Sequence, residues 1–123
     1  MLLGNATRGR IVAKRVVDAP TGLSRLWVLR REPLANVAIR FRGPGFWVPF
    51  GRPPVDVVFL DRAGRVVGIA EGLRAWRGAG TVDDAVEAVV LEGGACVRVP
   101  IEAGDRLEYT PHTSERISAG GHP

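Results

Sequence analysis

Residues 53–69, PPVDVVFLDRAGRVVGI, constrain the fold more than any other stretch, because two strand-like apolar runs flank the short turn Asp61-Arg62-Ala63-Gly64. Asp61 suits the first position of a type I turn, where its side chain bonds the backbone two residues on, so the pattern predicts a β-hairpin. The return strand covers residues 65–71. The incoming run, 55–60, is apolar at every position but Asp56, the composition of a strand buried on both faces. A chain of 123 residues, 46% hydrophobic and 24% charged, can bury such a strand in one core and is too short for two.

Asp56 is the anomaly in that run, since an unpaired carboxylate in apolar surroundings costs on the order of several kcal/mol. One reading places it at the mouth of the strand, accepting hydrogen bonds from backbone amides or an arginine. The other makes it a ligand contact or a proton-handling group.

The flanking sequence reads as further β structure. Residues 11–17 form a plausible first strand, preceded by a flexible lead-in over 1–10. Leu23, Leu26 and Trp27 recur at helical spacing, predicting a short helix over 23–30 that Pro33 ends. In residues 36–42, Val37, Ile39 and Phe41 alternate with Ala38, Arg40 and Arg42, the pattern of an antiparallel strand with one buried and one wet face. Phe46 and Trp47 open a short apolar segment. Residues 72–84 read as a polar connection holding Trp76, and residues 85–92 as a strand. Residues 95–101 fit helix or strand alike, and 106–109 make a last strand. One domain over 11–110 and a disordered tail over 111–123 follow.

Several chemistries lack their residues. The only two histidines, His112 and His122, lie in the tail, so neither a Cys-His nor a Ser-His-Asp arrangement fits in the folded body. The single cysteine, Cys96, allows no internal disulfide, and neither a phosphate-binding glycine loop nor a zinc motif occurs. No cofactor or metal is expected. The net charge of +4 is carried by arginines spread along the chain without a block of like charge, so nucleic acid is not an expected partner. No apolar run approaches a membrane span, and the start MLLGNATRGR has only three leading apolar residues, which makes the cytoplasm the expected location.

The run PVDVVFLDRAGRVVGI, followed in order by LRAWR (73–77), VVLEGGA (89–95) and AGDRLEY (103–109), resembles the bacterial and archaeal domain-of-unknown-function family 192. AKRVV (13–17) and SRL (24–26) look like that family's first strand and short helix, so the resemblance covers about residues 11–109. It implies a mainly β fold, a compact antiparallel β-barrel or sandwich with one or two short helices, and brings no established activity. This chain keeps Phe46-Trp47 but has Val48, Phe50 and Gly51 where many members carry Met, Asn and Thr.

The expectation is a non-catalytic binding or accessory module for a small polar ligand such as a sugar. Its candidate contacts are Asp56, Trp47, Trp76, Arg40 and Glu92, with the tryptophans stacking and Asp56 accepting hydrogen bonds. The alternatives are a protein-interaction or structural module, homodimeric through an edge strand or an apolar patch, and an enzyme in which Asp56 meets Glu92 or Asp105.

Overall fold

A computed structural model of the chain describes residues 1–19, 35–43, 45–47, 54–74 and 78–111. The helix expected over 23–30, Trp76 and the tail from residue 112 lie outside the described residues. The first strands are β1 (Leu2–Asn5), β2 (Arg10–Ala13), β3 (Arg15–Asp18), β4 (Val37–Arg42) and β5 (Gly45–Trp47). They are followed by β6 (Val55–Leu60), β7 (Val66–Leu73), β8 (Gly78–Thr81), β9 (Glu87–Glu92), the one-turn helix α1 (Ala95–Arg98) and β10 (Leu107–Thr110). No described helix is long and apolar enough to cross a membrane.

A three-stranded sheet in the order β10-β1-β2 lies against a five-stranded sheet in the order β3-β4-β9-β6-β7, and β5 and β8 form a separate pair. The two larger sheets are stitched at both rims, by Val16 N–H to Met1 O at 3.1 Å on one side and Leu107 N–H to Gly64 O at 2.8 Å on the other. They do not merge into a closed barrel, and the architecture is sandwich-like.

The centre of the large sheet is the predicted hairpin. All six residues of β6 are buried, because β9 and β7 flank it and both of its faces meet a core. Val58 and Leu60 join Leu3, Val12, Val89, Leu91 and Leu107 between the sheets. Val55, Val57 and Phe59 join Ile39, Phe41 and Val90 on the opposite face. The strict alternation of a strand sorts these residues into two cores, and each large apolar side chain so buried contributes roughly 1.5–3 kcal/mol.

Four expectations are corrected. Residues 1–10 are not a free lead-in: β1 is the middle strand of the first sheet, and Leu3 and Asn5 are buried. Residues 11–17 are not one strand. The N–H groups of Lys14 and Arg15 both reach the carbonyl of Asn36, and at that bend the chain leaves the first sheet and enters the second. β4 is antiparallel only to β9; it runs parallel to β3, and Ala38 on its supposed wet face is fully buried under the first sheet. The connection 72–84 is not a plain loop, since β7 continues to Leu73 and β8 pairs with β5.

Candidate functional site

Asp56 lies on β6 beside Val58 and Leu60 on the inter-sheet face, and is 1% exposed. Its carboxylate accepts two backbone hydrogen bonds, from Gly72 N–H on Oδ1 at 2.9 Å and from Cys96 N–H on Oδ2 at 3.0 Å. Both donors come from places where the backbone needs a partner. Gly72 has φ +64° near the end of β7, and Cys96 sits in the first turn of α1, whose N-cap, Gly94, has no side chain to offer. Asp56 supplies that cap from across the sheet, as the structural reading of the sequence anticipated.

Next to it, burial first and then the carboxylates of Asp56 and Glu71 push the Cys96 thiol up to about 12. A thiol held protonated in this way is not a nucleophile at neutral pH.

Glu92 does not meet Asp56. The register sets Asp56 opposite Leu91, and Glu92, one residue on, ends β9 opposite Val55. Its carboxylate instead accepts a hydrogen bond from Arg98 Nη2 at 2.9 Å. Asp105 has its own partners: Arg8 Nε at 2.6 Å, Asn5 Nδ2 at 2.9 Å and the Glu102 N–H at 3.1 Å. The hydrogen bond from Arg8 is the main cause holding its pKa below the usual carboxylate range. Asp56, Glu92 and Asp105 are thus held by three different sets of donors, and the shared carboxylate pair required for acid-base catalysis is not formed by them.

Arg40 lies elsewhere again. Its Nε is 3.4 Å from Glu87 Oε1 and 3.6 Å from Asp18 Oδ1, and its guanidinium sits 4.7 Å from the ring centroid of Tyr109. The Tyr109 hydroxyl in turn donates to Glu87 Oε2. Burial, followed by this bond to Glu87, raises the Tyr109 pKa, so the phenol stays protonated. The cluster ties β10 of one sheet to β4 and β9 of the other. Trp47 ends β5 opposite Gly78, and Trp76 lies outside the described residues. Among the described candidates, then, Asp56, Arg40 and Glu92 occupy three separate surroundings.

Glu92 borders a cleft. A cavity of about 230 Å³ opens where β2 ends the small sheet, between that strand, the start of β4, the end of β9 and α1. Val12, Ala13, Leu91 and Ala95 are members of the inter-sheet core and also line the cleft, so its floor is the core itself. Arg98 and Glu92 line it as the charged part, and Asn36 adds an amide. Sequence reading missed Arg98 because residues 95–101 had no clear period. A single helical turn brings Arg98 back toward the end of β9, and no short motif announces that return.

No protein-family model matches the sequence, and no curated protein matches it. Two solved structures share the fold. A crystal structure of a protein of unknown function from Novosphingobium aromaticivorans DSM 12444 superposes with a TM-score of 0.65 at 21% identity, over 88% of this chain and 82% of that one. A crystal structure from Sinorhizobium meliloti 1021, described as a candidate transcription regulator, gives a TM-score of 0.66 at 21% identity, over 87% of this chain and 89% of that one. At such identity the likeness shows the architecture alone.

Proposed function

We propose that this chain is a non-catalytic binding module, a divergent member of domain-of-unknown-function family 192, that takes a small polar ligand in the cleft beside β2. The observation that carries this reading is the cleft itself, whose lining joins core side chains to polar groups, the Glu92–Arg98 pair among them, a mix that can orient a small ligand. Its volume of about 230 Å³ lies below the roughly 300–1,000 Å³ of sites for drug-sized molecules, which favours a small ligand. The buried Asp56 carboxylate is committed to Gly72 and Cys96, which supports a structural role for it and moves the binding reading to Glu92. The transcription-regulator description of the Sinorhizobium neighbour is not carried over. Arg8, Arg40 and Arg106 are each paired with carboxylates, and the arginines are spread along the chain without a block of like charge, which disfavours a phosphate-binding surface.

Thermal-shift screening of the full chain against metabolites, sugars included, tests the proposal. A ligand is expected to raise Tm in a saturable way, and Ile11→Trp is expected to abolish that rise, because Ile11 lines the mouth and is exposed enough to enlarge without disturbing the core. A panel without any stabilising compound, or a shift indifferent to Ile11→Trp, overturns the placement. The protein-interaction alternative draws on Ile11 and Val97, which are 55% and 71% exposed near the same cleft. Light scattering across a concentration series separates a self-associating chain from a monomer that binds small molecules.

A further inference from the structure

Building on the cleft proposed above as the binding site, we infer that its ligand is a small zwitterion with an apolar side chain, of the α-amino acid class. The charges at the edge carry the argument. Arg98 donates to Glu92 Oε1 through Nη2 alone, and both side chains keep about half their surface in water, 57% for Arg98 and 45% for Glu92. Among the described residues no other hydrogen bond occupies these groups, so Arg98 offers guanidinium N–H groups suited to a carboxylate and Glu92 offers Oε2 for an ammonium group. A ligand carrying both charges satisfies both groups at once. One carrying a single charge leaves the opposite member of the pair with a like-charged neighbour.

The floor decides the rest of the ligand. Val12, Ala13, Val37, Leu91, Ala95 and Val99 offer neither a hydroxyl nor an aromatic plate. A sugar ring gains from a stacking face, and no described lining residue supplies one. A short aliphatic side chain gains from these apolar side chains by leaving water. The cavity of about 230 Å³ suits a molecule of that size.

The experiment is an amide-resolved NMR titration of the full chain with L-valine, isovalerate, isobutylamine and glucose as probes. L-valine is expected to shift the amides of Leu91, Glu92, Ala95 and Arg98 saturably. Isovalerate and isobutylamine, which keep the aliphatic group but only one charge, are expected to bind at least about tenfold more weakly, the cost of one charge-assisted hydrogen bond. In Arg98→Gln the preference for L-valine over isobutylamine is expected to vanish, and in Glu92→Gln the preference over isovalerate. Both positions are at the surface, and an unchanged amide spectrum elsewhere confirms that the variants fold. Single-charge analogues as tight as L-valine overturn the zwitterion, as does saturation of these amides by glucose with L-valine silent; either leaves the binding site standing. If none of the four probes, nor any compound of the wider screen, moves these amides, the cleft is not a binding site and both readings fall.

Discussion

At Asp56 an apolar strand tolerates a charge because each carboxylate oxygen accepts a backbone N–H, one from Cys96 in the buried first turn of α1 and one from Gly72 near the end of β7. An asparagine has one acceptor oxygen and presents an NH₂ group to the second N–H, so donor faces donor. Asp56→Asn is expected to destabilise the protein by about 1–3 kcal/mol, read as a lower urea midpoint at unchanged m-value. A variant as stable as the parent would show that these bonds do not hold β7 and α1 in place. The asymmetry with Glu92 is instructive, since both carboxylates were candidates on sequence and only their surroundings separate them. One is 1% exposed and doubly bonded to backbone, while the other stands at a cleft paired with an arginine.

Among elements, the β6–β7 hairpin was legible because its signals are local. Asp61 Oδ1 accepts from the N–H groups of Ala63 and Arg65, both at 2.9 Å, and Gly64 takes φ +83°. A type I turn followed by a left-handed residue is a common hairpin connection. What the local pattern did not reveal is that this turn is also a joint between the sheets. The Gly64 carbonyl accepts the Leu107 N–H, and a Cβ on Gly64 would lie 2.6 Å from the Leu107 carbonyl oxygen. Gly64→Ala thus combines a disfavoured backbone conformation with a clash against β10 and is expected to cost about 2–4 kcal/mol in equilibrium unfolding. A loss below about 0.5 kcal/mol would mean that β10 moves aside freely.

Across the whole molecule, the N-terminal residues carry more weight than the flexible lead-in expected of them. β1 pairs with β10 on one side and β2 on the other, Leu3 is fully buried between the sheets, and Asn5 reaches Asp105 a hundred residues away in sequence. A chain lacking residues 1–5 is expected to lose cooperative urea unfolding, because the small sheet loses its central strand and its outer two have no common partner. Unfolding with the parent's midpoint and m-value would show the small sheet to be dispensable.

The amino-acid sequence by itself determined the mainly β character, the central hairpin, the burial of β6 on both faces and the oddity of Asp56, all of which rest on alternation and turn chemistry within a few residues. Only the tertiary structure decided the rest: a sandwich rather than a closed barrel, a parallel β3–β4 pair, β1 as a central strand and Arg98 at the cleft beside Glu92. Each of these depends on which distant segments pair or pack together. That choice is settled by burying two faces of one sheet at once and by pairing the backbone donors of distant segments with acceptors, conditions that no short window of sequence contains.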